Sequence, residues 1–235
     1  MKVGLIAPKN LLEYTRFGDI HFILPQNATE FFVNENKYKM VDNGTYETGT
    51  PLDMDELVGL AQQMGANEIV LPDVINDISS TMEFVGKYAK HPKYGLKFAA
   101  VPQGFNAESF IACYLEFAKI PELDVLCFPI WLEKQLHLRP QVVNYLHSKG
   151  WLAKNKEHHL IGCDLLAELL CYPKGLIRSV DTSMPFSAAL AGKYIDVFRQ
   201  HEGKRCNFEY TKLTAPYLDV LRWNINKLLE VAHSV

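Results

Sequence analysis

No segment of this chain is long and apolar enough to cross a bilayer, and the opening MKVGLIAPKN has too short an apolar run for a secretory leader. Five cysteines are scattered without a C-x-x-C pair, so neither a disulfide framework nor a zinc ligand set is expected. Cys113, Cys127 and Cys163 lie in apolar runs, where a reduced buried thiol is the plain reading. A reducing cytoplasm is the expected location, or the host cytoplasm if the chain is viral, with no membrane, metal or cofactor as partner. There is no G-x-G-x-x-G or Walker pattern, which a doubly wound nucleotide-binding sheet would carry after an early strand. Neither sign of charge dominates: 24 Lys and Arg against 27 Asp and Glu leave a net charge of −3, which advertises no polyanion partner. Repeats, low-complexity tracts and linkers are absent too, so residues 1–235 are expected to form one domain.

What the chain does have is a composition 48% hydrophobic and 22% charged, suited to a substantial core, and a regular alternation of short apolar runs with helical patterns. Strands are predicted at 3–7, 21–25, 38–42, 68–73, 97–103, 125–130, 159–163 and 176–181. Between them DMDELVGLAQQMG, INDISSTMEFVGKYAK, NAESFIACYLEFAK, EKQLHLRPQVVNYLHSKG and DLLAELLCY space apolar residues as helices do, several opening on Asp or Asn and two closing at Gly65 and Gly150. The segment 214–233 reads as a closing helix with Thr214 at its N-cap. Eight strands with interleaved helices predict an α/β fold, a (β/α)8 TIM barrel. The dozen or so residues between the first two strands predict a compressed first βα unit.

The chemistry gathers at strand ends. The third predicted strand ends VDNG, the fourth LPDV, the fifth VPQGF, the seventh LIGCD and the eighth SVDTS. Each Asp or Gln alone would serve as a cap or turn residue; in a barrel all five ends converge on the mouth where catalytic groups sit. Several carboxylates around one pocket suit an anomeric centre, one attacking carbon and another protonating the leaving group. Asp73 with Gln103 suits reading the polar edge of a heterocycle, and Tyr46 could stack on its face.

These residues carry a family resemblance. VDNGTYE (41–47) resembles the D-[SN]-G-x-[YF]-[QE] segment of the tRNA-guanine transglycosylase superfamily; LPDV (71–74), VPQG (101–104), HLIGC (159–163) and IRSVDTSMP (177–185) resemble its later strand ends, in the family's order. The resemblance implies that Asp181 attacks C1′ of a guanosine nucleotide while Asp42 serves as general acid and base. It implies that Asp73, Gln103 with Gly104, and Gly162 with Cys163 hold the base, with Tyr46 stacked on it. The incoming base would be guanine or a 7-deazaguanine such as preQ0 or preQ1. Cys206 alone cannot build the zinc site that tRNA-acting members carry after the nucleophile, and the segment after Asp181 is short. Both features lean toward the compact phage-type enzymes that modify DNA. Nucleic acid, DNA ahead of tRNA, and a free 7-deazaguanine are then the expected partners, with a second copy of the chain or an accessory protein left open.

The remaining candidates have plainer readings. KGLIR (174–178), Lys193, Arg199 and HEGKR (201–205) form a modestly basic stretch that is either a phosphate grip or a solvated face. His158 and His159 are expected at the N-terminal end of the seventh strand, facing away from the mouth. Asp77 suits helix capping, and Asp164, Trp131 and Glu133 stand between lining the mouth and packing. The rival functions are another paired-carboxylate barrel, such as a glycosidase or nucleoside hydrolase, and a catalytically silent barrel that binds nucleic acid or a partner enzyme.

Overall fold

The computed structural model describes residues 1–196 and 206–235. Its eight strands are β1 (Lys2–Leu5), β2 (His21–Ile23), β3 (Lys39–Val41), β4 (Glu68–Val70), β5 (Lys97–Ala100), β6 (Val125–Pro129), β7 (Glu157–Ile161) and β8 (Ser179–Thr182). They pair in parallel in the order β1-β8-β7-β6-β5-β4-β3-β2. A single parallel bridge, Gly4 to Ile20, joins β1 to the start of β2 and brings the sheet round into a nearly closed barrel. With helices between the strands, this is the (β/α)8 TIM barrel.

Period-2 alternation divides the strands between two cores. Phe22, Leu24, Met40, Val70, Ala99, Val101, Val125 and Cys127 fill the inside of the barrel. The larger cluster, including Val3, Leu5, Val41, Ile69, Phe98, Leu126 and Leu160, packs the outer strand faces against the helices. Gly4 makes room for the closure: a Cβ there would lie 3.0 Å from Phe22 Cβ.

The main helices start where capping side chains sit. Asp53 accepts from Asp55 N before Met54–Met64, and Asp77 accepts from Ser80 N before Ile78–Tyr88. Asn106 forms a reciprocal capping box with Ser109 before Ala107–Ala118. Gly65 ends the first of these in the left-handed region, at φ 61°. Arg139–Ser148 and Ala215–Ser234 follow, with Thr214 at the N-cap position but making no side-chain cap bond. The first unit is compressed, its helix replaced by 3-10 turns over Lys9–Phe17. DLLAELLCY yields only the single turn Leu166–Leu169, with Leu166, Glu168 and Leu169 all buried.

Charged residues close the barrel at the N-terminal ends of its strands. Arg178 forks onto Glu68 (Nη1 to Oε2 2.8 Å, Nη2 to Oε1 3.0 Å) and reaches Glu157 at 3.0 Å. Tyr38 adds a hydrogen bond to Glu68, and Lys97 one to Glu157, both at 2.6 Å. Glu68 is fully buried, so its charge is tolerable only because Arg178 answers it with two parallel bonds.

Candidate active site

At the opposite end, the C-terminal strand ends surround a cavity of about 460 Å³, a volume suited to a small-molecule ligand. Asp42, Tyr46, Asp73, Gln103, Gly162, Cys163 and Asp181 all line it. Gly104 does not. It is glycine for packing, since a Cβ there would come 2.6 Å from the backbone nitrogen of Phe110.

Asp181 sits on β8 with its side chain inside the barrel, 2% exposed. Its Oδ1 accepts two hydrogen bonds, from His159 Nε2 at 2.9 Å and from the Gly162 amide at 3.1 Å. The expectation that His159 faces away from the mouth is therefore wrong. The strand begins two residues earlier than its apolar run suggested, at Glu157, so His159 is mid-strand. Alternation turns it inward, and its register partner on β8 is Ser179, two residues before Asp181. His158 does point outward: its Nε2 lies 2.9 Å from Tyr114 Oη, and burial, aided by Arg178, pushes its pKa down to about 4.

Gly162, in the cavity lining, also has partners within the protein: its N–H donates to Asp181 Oδ1, and its carbonyl accepts from Arg139 Nη2 at 2.8 Å. It adopts φ 73°, and a Cβ would meet Ile130 side-chain atoms at 3.1 Å, so both conformation and space require glycine.

Across the cavity, Asp42-Asn43-Gly44 is a turn, with Gly44 at φ 82° and its N–H donating to Asp42 Oδ2 at 3.0 Å. Asp42 is buried among other acids. Burial first, then Glu47, Asp181 and Asp73, raise its pKa well above the usual carboxylate range, against the pull of the Gly44 amide. Asn43 fastens this turn to the next strand end by donating to Leu71 O (2.8 Å) and Asp73 Oδ1 (2.6 Å). Gln103 Nε2 donates to the other Asp73 oxygen at 2.5 Å, while its Oε1 accepts from the Asn76 amide at 3.2 Å. Burial pushes Asp73 up to about 6, with Asn43, Gln103 and Thr45 opposing. Asp42, Asp73 and Gln103 thus form one connected wall rather than three separate strand ends.

Tyr46 is exposed at the rim. Beside it Lys134 pairs with Asp164 at 2.6 Å; although burial opposes its charge, Asp164 and Tyr46 hold its proton more tightly than usual. Trp131 lines the cavity as well. Glu133 and Asp77 do not, and Asp77 is the helix cap already described. The thiol of Cys163 is held far above its usual range, chiefly by burial and then by Glu168, which leaves it without thiolate character at neutral pH.

Among the described residues, none of the basic stretch lines this cavity. Arg178 is inside the barrel at its far end, Lys174 precedes β8 at that same end, and Lys193 follows the helix Met184–Leu190. Arg199 and 201–205 lie outside the described residues. Among the described residues, Lys134 is the one lysine or arginine lining the cavity, against Asp42, Glu47, Asp73, Asp164 and Asp181. Nor do any three described His, Cys, Asp or Glu side chains converge in a metal-binding arrangement.

Arg139 went unnoticed in the sequence, where it reads as an ordinary helix-start residue. It is fully buried, pairs with Glu168 through Nε (2.6 Å) and Nη2 (2.8 Å), and donates to the carbonyls of Phe128, Ile161 and Gly162. Five hydrogen bonds from one guanidinium tie the ends of β6 and β7 together behind the Asp181 site.

Fold and cavity together define a (β/α)8 barrel with three buried carboxylates at its mouth. No known family model matches the chain. No curated protein matches it in sequence.

Proposed function

We propose that this barrel is a base-exchange transglycosylase, replacing guanine in nucleic acid, DNA ahead of tRNA, with a 7-deazaguanine. The observation that carries the reading is the contrast between two carboxyls in one cavity. Asp181 is oriented by two fixed donors, His159 Nε2 and the Gly162 amide, whereas burial and neighbouring acids push Asp42 toward its protonated form. An oriented carboxyl facing a buried one that keeps its proton suits a division into nucleophile and acid.

In the proposed reaction an Asp181 oxygen attacks C1′ and forms a glycosyl ester. The C1′–N bond breaks with its electron pair going to the base, which takes the Asp42 proton as it leaves. The incoming base returns a proton to Asp42, attacks C1′, and releases Asp181 as carboxylate. Asp73 and Gln103 read the polar edge of either base, and Tyr46 stacks on it. The named base rests on the ordered strand-end motifs that resemble the tRNA-guanine transglycosylase superfamily.

A second reading has an observation in its favour. A cavity lined by five acids and one lysine repels phosphates, which suits cleavage of a free nucleoside by the same two carboxyls, with water accepting the sugar. Incubation with labelled guanine or preQ0 and duplex DNA, single-stranded DNA, tRNA or guanosine separates the two. Label entering a polynucleotide supports exchange; free base released from guanosine without incorporation supports hydrolysis. Asp181→Ala is expected to lower either activity by about 10⁴-fold or more, and a variant that still incorporates label at the wild-type rate removes the proposed nucleophile.

A further inference from the structure

We propose that His159 is a positioning residue for Asp181: as its neutral Nε2–H tautomer it anchors Oδ1 and leaves Oδ2 as the attacking oxygen. The second half of this inference rests on the covalent reading above; the first half rests on hydrogen-bond accounting alone.

The accounting starts at the far end of the barrel. A guanidinium can only donate, and Arg178 Nε donates to Ser179 Oγ at 3.0 Å. Ser179 is fully buried and its Oγ lies 2.8 Å from His159 Nδ1; with Arg178 already donating to that oxygen, its single hydroxyl hydrogen is assigned to Nδ1 as acceptor. With Nδ1 accepting, the ring proton belongs on Nε2, which meets Asp181 Oδ1 at 2.9 Å. A doubly protonated ring would direct two donors at Ser179 Oγ and deprive the buried hydroxyl of this acceptor, a net loss inside a core. The ring cannot readily turn away: Phe22 lies parallel to it, with centroids 5.7 Å apart and planes within 9°. Arg178 is itself fixed by Glu68 and Glu157. One chain of hydrogen bonds therefore runs up the barrel from the charged floor to the mouth.

The second donor, the Gly162 amide, also reaches Oδ1, and among the described residues none donates to Oδ2. Attack through Oδ2 keeps both bonds intact. Once the ester forms at Oδ2, Oδ1 becomes its carbonyl oxygen and still accepts from both donors. A neutral donor also suits this task better than a cation. A fixed positive charge would favour the carboxylate over the ester and hold the nucleophile in its ground state.

Two measurements test this. Nitrogen NMR of the histidine rings, with His159 assigned by its loss in His159→Gln, should show Nδ1 unprotonated and Nε2 protonated at neutral pH, and Ser179→Ala should weaken that preference. The reverse tautomer, or a doubly protonated ring, overturns the inference whether or not the protein exchanges bases. In the exchange assay His159→Leu should lower kcat by about 10²-fold with KM for the free base nearly unchanged. His159→Gln, which keeps an N–H near the Nε2 position, should recover at least about tenfold of that loss. Wild-type kcat in His159→Leu, or equal losses in Leu and Gln, sinks the positioning role alone. Absence of exchange by the wild-type protein sinks the base-exchange reading instead, and the ring NMR still decides the geometry.

Discussion

Asp42 and Asp73 resist ionisation for the same reason, removal from water, yet differ in how far hydrogen bonds offset it. A carboxyl whose proton affinity rises on folding supports the native state at acid pH, and that support is lost as pH climbs above the unfolded value of about 3.9. Asp42→Asn should therefore resist urea better than the wild type at pH 7, with the gap closing as pH falls toward about 4. The Asn oxygen can still accept from the Gly44 amide, so the turn is kept, while exchange should fall by about 10²–10⁴-fold. Urea melts across a pH series, alongside the exchange assay, check both halves. Asp73 gives a pH dependence of its own. It reads donors on a base only while ionised, and its pKa is about 6. KM for the free base should then climb roughly tenfold per pH unit below that point, and a KM flat between pH 5 and 8 would remove Asp73 from base recognition. These residues could be read from the sequence because each follows an apolar run as a lone polar group. Their mutual wiring through Asn43 and Gln103 could not, since it joins side chains 30 positions apart.

At the scale of the element, β7 shows what a period can and cannot reveal. Its apolar residues marked a strand, but Glu157 and His158 at its start are polar and hid its first turn of alternation. That two-residue difference is what turned His159 from a surface candidate into a neighbour of Asp181. The C-terminal end of β7 is as tightly specified. Gly162→Ala should cost about 1–3 kcal/mol through its left-handed backbone and the Ile130 contact. By displacing the amide from Asp181 it should also lower kcat more than it raises KM. Thermal unfolding and single-turnover kinetics would separate the two effects. Arg139→Met leaves Glu168 buried without its countercharge, the Tyr172 hydroxyl alone still donating to it at 2.6 Å, which is expected to cost about 3–5 kcal/mol. Adding Glu168→Leu should return much of that stability, and a double variant no more stable than the single one would mean that the strand-end carbonyls, not the ion pair, dominate.

For the whole molecule, the barrel architecture was legible because eight apolar runs alternate with helical patterns, and because strand ends repeat a polar signature. How the barrel closes was not, since β1 and β8 meet across about three-quarters of the sequence and no local pattern records it. The closure is also uneven. β6 and β7 share five register pairs, whereas β1 meets β2 through the single bridge between Gly4 and Ile20. Native-state hydrogen exchange should find β2 amides opening at lower free energy than those of β6 and β7. Equal protection would mean that the seam is held by packing rather than by its ladder. The far charge cluster likewise escaped notice: Arg178, read as part of a basic surface, is the internal partner of Glu68.

That internal chain from Arg178 through Ser179 and His159 to Asp181 has a consequence for descent. A relative that loses the aspartate no longer needs a hydroxyl and an imidazole stacked beneath it, and buried polar groups without partners are costly to keep. Positions 159, 179 and 181 should therefore drift together toward apolar residues in inactive lineages and persist together in active ones. Position 178 should instead change in step with 68. Such paired histories, read from an alignment of relatives, would sort working copies of this barrel from retired ones before any assay is run.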